Sequence, residues 1–152
     1  MSQVRVQGDD FDLGAEVARL RADNPKVGAV VAFVGTVRDM NDGAAVAAME
    51  LEHYPGMTEQ AIEAIVEQAK ARWPLCAARV VHRVGALLPL DQIVLVATAA
   101  PHRGDAFAAC EFIIDYLKTE APFWKKEQTA QGARWVDARV TDQAALAKWA
   151  RA

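Results

Sequence analysis

The chain has 152 residues, 53% of them hydrophobic and 24% charged, which excludes both a disordered tail and a fibrous repeat. Its 17 Lys and Arg against 20 Asp and Glu leave a net charge of −3, the wrong balance for a protein coated with nucleic acid or held on an anionic membrane. The longest uncharged runs, Val27–Val37 and Gln92–His102, fall far short of the roughly 20 residues a membrane span needs. The length suits one domain over residues 1–152. The first ten residues hold no apolar signal region. Two cysteines, Cys76 and Cys110, are too few for a disulfide scaffold, so a reduced, cytoplasmic setting is expected.

In chain order, Val4 and Val6 alternate with polar residues and predict a short strand. Leu13, Val17 and Leu20 recur at helical spacing, and Asn24-Pro25 stops that helix. Gly28–Val37 is a continuous, β-branched apolar run that reads as a buried strand. The polar stretch Asp39–Gly43 ends in an Asp-Gly turn, and a strand over Val46–Tyr54 follows. Alternation puts Glu50 and Glu52 on one face of that strand and Met49, Leu51 and His53 on the other. Pro55-Gly56 breaks it. Thr58 then reads as an N-cap, with Ile62, Ile65, Val66, Ala69 and Trp73 as the helix's apolar stripe.

Pro74 closes that helix. Arg79–Val84 and Gln92–Ala99 read as two strands joined through Gly85 and Pro89. Asp105 opens the longest helix, with Phe107, Cys110, Ile114 and Leu117 as its core stripe, and Pro122 ends it. Phe123–Thr129 and Arg134–Arg139 predict a hairpin around Gly132, and Ala144–Trp149 a terminal helix. The mixed order of strands and helices predicts an α+β fold.

The residue inventory removes much chemistry. Ser2 is the only serine, so a serine nucleophile is not expected. No phosphate loop or dinucleotide fingerprint is present. His53, His82 and His102 are far apart in sequence and the two cysteines do not form a Cys-x-x-Cys pair, so no metal site and no bound cofactor are expected. Cys110 lies on an apolar stripe, where a thiol is inert, and Cys76 also reads as structural.

The positive signals are basic. Pro101-His102-Arg103-Gly104-Asp105 joins a strand end to a helix N-terminus, where unpaired N–H groups and the helix dipole favour an anion. Arg103 adds a planar donor suited to phosphate, although an ordinary cap with a solvated arginine fits equally well. Lys118 lies in the last turn of that helix, where it could also pair with Asp115 or Glu111. Lys125 and Lys126 follow Ala121-Pro122-Phe123-Trp124 and face opposite sides of a strand, so one of them points toward the apolar side. A lysine there, beside other cations, can act as acid or base near neutral pH. Arg38 sits where the apolar Gly28–Val37 run leaves the core.

Together these stretches resemble the MoaE family, the large, catalytic subunit of molybdopterin synthase. The resemblance rests on Phe33–Asp39, Leu51–Met57, His82–Gly85, His102–Phe107, Tyr116–Lys118 and Ala121–Glu127, in order from about Val27 to Ala138. It implies an α/β hammerhead fold with an additional antiparallel β subdomain. It implies a sulfurtransferase that makes the dithiolene of molybdopterin from cyclic pyranopterin monophosphate. The sulfur would arrive as a thiocarboxylate on the Gly-Gly tail of a small ubiquitin-like subunit. A homodimer of the large subunit would carry one small subunit at each end, a heterotetramer.

Under this resemblance Lys118 and Lys125 are the acid and base groups. Arg38, His102 and Arg103 bind the phosphate, with Lys126 and Glu127, beside the lysines, as further substrate-binding residues. Arg139, after the final hairpin, is a further candidate for contributing across the dimer. Two other readings use the same fold without catalysis: a phospholigand-binding module, and a structural partner for a ubiquitin-like protein.

Overall fold

A computed structural model describes residues 3–41, 44–130, 132–136 and 140–151. Four strands form the first sheet: β1 (Val4–Gln7), β2 (Ala29–Thr36), β5 (Ala77–Arg83) and β7 (Gln92–Ala100), in the order β1-β5-β7-β2. Only β1 and β5 run parallel. One face carries α2 (Met57–Arg72) and α3 (Arg103–Glu120), and the other carries α1 (Leu13–Arg21). The period of two along β7 divides its side chains accordingly: Val94 and Val96 meet Ile62, Val66, Phe112 and Ile113, while Leu95, Ala97 and Ala99 meet Leu20 and Phe11. Covered on both faces, β7 is apolar throughout its centre. The buried Thr98 hydroxyl donates to the Ala106 carbonyl (2.7 Å) and ties β7 to α3.

The second sheet is antiparallel: β3 (Met40–Asn41), β4 (Ala44–His53), β8 (Phe123–Thr129) and β9 (Gly132–Val136) in sequence order, with β6 (Gly85–Leu87) also paired to β4. Val37, Met49, Leu51 and Leu87 form its own small core. The chain ends in α4 (Val140–Ala147) and a 3-10 turn, Lys148–Arg151. The Trp149 indole packs edge-on against Trp73 and Phe112 and donates to the Asp115 carboxylate (2.7 Å). The α+β class and the extra antiparallel sheet match the expectation from sequence.

Several expectations need correction. The Gly28–Val37 run forms an edge strand, β2, and is only half-buried, because β7 alone flanks it. A continuous apolar run does not separate an edge strand from a central one. Thr58 is not the cap of α2. Gly56 is, at φ 84°, and its N–H donates to the Glu59 carboxylate (3.1 Å). The buried Thr58 hydroxyl instead accepts from the Tyr54 N–H and donates to the Pro122 carbonyl (both 3.0 Å).

In α3, Phe107 is 61% exposed, and Ala106, Ala109 and Ile113 take the core positions beside Cys110 and Leu117. In α1, Leu13 faces out while Glu16 is buried, paired with the buried Arg79 at 2.9 Å. Two short strands have no counterpart among the expected elements: β3, inside the expected Asp39–Gly43 loop, and β6, three residues long. The final strand ends at Val136, and the rest of the expected Arg134–Arg139 strand lies outside the described residues.

Candidate active site

Sheet register places the expected residues. Gly35, Val94, His82 and Val6 share one row across the first sheet. Arg38 follows the end of β2, just beyond that row, and is exposed. Val37 anchors it: its N–H donates to the Asp91 carbonyl (3.0 Å) and its carbonyl accepts from the Leu90 N–H (2.9 Å). Ala29 and Ala100 pair at the opposite end of the same two strands. His102 and Arg103 lie at that opposite end, exposed, where His102 is the N-cap of α3. Gly28 is needed there, because a Cβ on it would fall 2.1 Å from the Pro101 carbonyl oxygen. The close approach holds the start of β2 against the turn that presents His102 and Arg103.

From that end α3 runs back along the sheet and delivers Lys118, exposed in its last turn, to the His82 side. Pro122 turns the chain into β8. There Phe123, Lys125 and Glu127 share one face, opposite His53, Leu51 and Met49 of β4. This is the apolar face anticipated for one lysine, and Lys125 is the one that occupies it. Its side chain is 32% exposed, and its ammonium lies 3.9 Å from the buried Glu127 carboxylate. Gly85 sits across from Leu51 on the other side of β4, and a Cβ on it would meet nothing within 4 Å.

Lys126 takes the opposite face of β8, in register with Glu50. On that face the Trp124 indole packs on Tyr54 and donates to Glu52 (2.9 Å). Arg139 lies outside the described residues.

Three residues not singled out as site residues meet at the start of β8. The His82 ring stacks on Phe123, centroids 3.8 Å apart at 18°, and His53 lies 6.4 Å from the same ring. Histidines far apart in sequence thus meet around one phenyl group. Burial holds the His82 pKa down at about 4, and the nearby charges of Lys118 and His53 push the same way against a hydrogen bond to the Arg83 carbonyl. The signal for His53 was present: alternation set it on the apolar face with Met49 and Leu51. Neighbouring Arg83 is structural, donating to the Gly8 and Gln92 carbonyls at 3.0–3.2 Å.

Cys110 is buried and its thiol donates to the Val96 carbonyl (3.5 Å). Burial, with Glu111 adding to it, pushes its pKa up to about 11, so no thiolate nucleophile is available there at neutral pH. Among the described residues no three His, Cys, Asp or Glu side chains group closely enough to hold a metal ion.

In one chain, then, Lys118, Lys125 and Glu127 lie near the junction of α3 and β8, at the strand end of the first sheet that Arg38 follows. His102 and Arg103 stand at the far end of α3. The arrangement offers two ammonium groups and a buried carboxylate for proton transfer, and separate arginines for an anion.

Comparison with known proteins places the chain in a family. Residues 6–120 match the family described as MoaE protein. The molybdopterin synthase catalytic subunit of Ralstonia nicotianae is 70% identical over 98% of this chain and 85% of its own length. That of Pseudomonas aeruginosa is 56% identical over 96% and 97%. A solved molybdopterin biosynthesis MoaE protein from Burkholderia ambifaria superposes with a TM-score of 0.85 at 68% identity, covering 99% of both chains. Molybdopterin synthase from Staphylococcus aureus gives 0.83 at 33% identity, over 90% of this chain and 98% of its own.

Proposed function

The chain belongs to the MoaE family and acts as a molybdopterin synthase catalytic subunit, a sulfurtransferase, and on that premise we propose how its residues divide the work. The substrate is cyclic pyranopterin monophosphate. The nucleophilic sulfur comes from outside, as the C-terminal thiocarboxylate of a small ubiquitin-like subunit. An external sulfur suits a chain whose Cys110 is buried and protonated.

Replacing carbon–oxygen by carbon–sulfur bonds and opening a cyclic phosphate both require protons to move. Lys118 and Lys125 move them. Glu127, buried and 3.9 Å from Lys125, orients that lysine. Arg38, His102 and Arg103 hold the phosphate, and Lys126, on the far face of β8, adds positive potential.

The length of the helix between Arg103 and Lys118 supports a site shared between two chains. His102 and Arg103 of one chain complete the site holding Lys118 and Lys125 of its twofold partner, with Arg139 as a further cross-chain contributor. The homodimer and two small subunits make a heterotetramer of single-domain large subunits. No helix among the described residues is long and apolar enough to cross a membrane. The free thiols Cys76 and Cys110 suit a reducing cytoplasm.

The observation that carries the reading is the pair of lysines on either side of the α3–β8 turn, one of them held beside a buried carboxylate. Purified Lys118→Ala and Lys125→Ala proteins, given thiocarboxylated small subunit and substrate, should each lose about 10²–10⁴ in rate while remaining folded. Near-normal rates in both would refute the assignment.

A further inference from the structure

We infer that His82 is a positioning residue for the lysine pair: its ring, stacked on Phe123, fixes the joint between α3 and β8 and with it the placement of Lys118 relative to Lys125. The inference rests on the reading of those lysines given above.

Phe123 follows Lys118 by five residues and precedes Lys125 by two, so whatever fixes Phe123 constrains both. Among the described residues, the contacts that hold this joint to the rest of the chain include, beside the β4–β8 pairing of Phe123 with His53, a backbone tie and a side-chain stack. The Thr58 hydroxyl holds the backbone at the Pro122 carbonyl (3.0 Å), and His82 holds the Phe123 side chain. The second contact joins the two sheets, because His82 belongs to β5 of the first and Phe123 to β8 of the second.

The His82 ring is itself immobilised. It is 7% exposed, and its strand neighbours are Val6 and Val94. Its Nδ1 lies 2.8 Å from the Arg83 carbonyl oxygen. A carbonyl only accepts, so Nδ1 carries the proton and the tautomer is set. The charges that act on the ring come from Lys118 on α3 and His53 on β4. With a pKa of about 4 the imidazole is uncharged at neutral pH and does not repel the Lys118 ammonium. A flat, neutral, orientation-locked surface is what a stacked phenyl ring needs in order to keep one position.

The test separates flatness from bulk. His82→Phe keeps a flat ring and His82→Leu keeps only apolar volume. Sulfur transfer from thiocarboxylated small subunit is measured with each, as kcat, KM and a kcat–pH profile, beside a thermal midpoint. A misplaced reacting group costs up to about a hundredfold, so folded His82→Leu should lose about ten- to a hundredfold in kcat, with KM for the pterin changed far less. His82→Phe should stay within about threefold of the parent, because a correctly placed group keeps its rate. Its pH profile above pH 5 should not move.

Parental kcat in His82→Leu would overturn the inference, since packing alone would then suffice. Loss of a pH limb in folded His82→Phe would overturn it too, since the imidazole would then be transferring protons itself. If the His82 variants do not fold, Phe123→Tyr and Phe123→Leu make the same comparison from the other side of the stack. Equal kcat in those two ends the inference, and a selective loss in Phe123→Leu supports it. Lys118→Ala and Lys125→Ala run alongside. Activity retained in both would end the lysine reading and this inference with it. Activity lost there beside a normal His82→Leu would end this inference alone.

Discussion

Mixing two inactive homodimers measures whether one site draws on two chains. The α3 helix is unbroken from Arg103 to Glu120. At 1.5 Å per residue, Arg103 and Lys118 stand about 22 Å apart along its axis. An arginine and a lysine side chain each reach roughly 6 Å, which leaves a gap of about 10 Å even with both stretched along the helix. Arg103→Ala and Lys118→Ala homodimers should each be inactive. After complete subunit exchange at equal concentrations, about half of the dimers are mixed, and a twofold interface gives each mixed dimer one site with both residues intact and one with neither. Sulfur transfer should therefore recover to about a quarter of the parental rate per chain, since one site in four is whole. The assay is single-turnover sulfur transfer before and after exchange, with exchange followed by mass spectrometry on differently tagged chains. A site confined to one chain predicts no recovery, because neither variant chain carries both groups. Verified exchange without recovery would refute the shared site.

Three further outcomes are expected. Cys110→Ala should lose about 1 kcal/mol in urea unfolding and keep its activity, as a buried packing residue does; a folded variant that transfers no sulfur would show a role in the chemistry. If the tail delivers the sulfur, a small subunit lacking its last two glycines should support no turnover, and normal turnover would exclude delivery by the tail. His82 binds its proton less readily folded, at about 4, than at its ordinary 6.5, so the unfolded chain gains the proton first as pH falls. The stability this contributes is intact above pH 6.5 and lost on descending to about 4, a difference of about 3 kcal/mol. His82→Phe should lack that part of the pH dependence, and an unchanged slope in the variant would refute the assignment.

Local chemistry in the sequence was enough for most elements. Alternation along Met49–His53 named the buried face of β4, and the 3.6-residue spacing of Ile62, Ile65, Val66 and Ala69 named the face of α2. Motifs in series, from Phe33 to Glu127, were enough for the family. Patterns of this kind depend on residues two to four apart, and that information is written along the chain.

What the sequence left open depends on which surfaces meet. Phe107 and Ala106 differ by a single step around α3, and only its packing on β7, through the Thr98–Ala106 bond, selects Ala106 for the core. Glu16 reads as a solvated helix residue until the chain folds and Arg79 reaches it from β5. Lys125 and Lys126 were equivalent candidates for the apolar face until the register of β8 with β4 set Lys125 opposite Leu51. His82 and Phe123 are separated by 41 positions, and nothing local to either predicts the stack, which forms only because two sheets close on each other. The opposite placement of Arg103 and Lys118 follows from a helix length that the sequence showed. That Arg38 and His82 share the lysine end, away from His102, follows from strand order, which only long-range pairing decides.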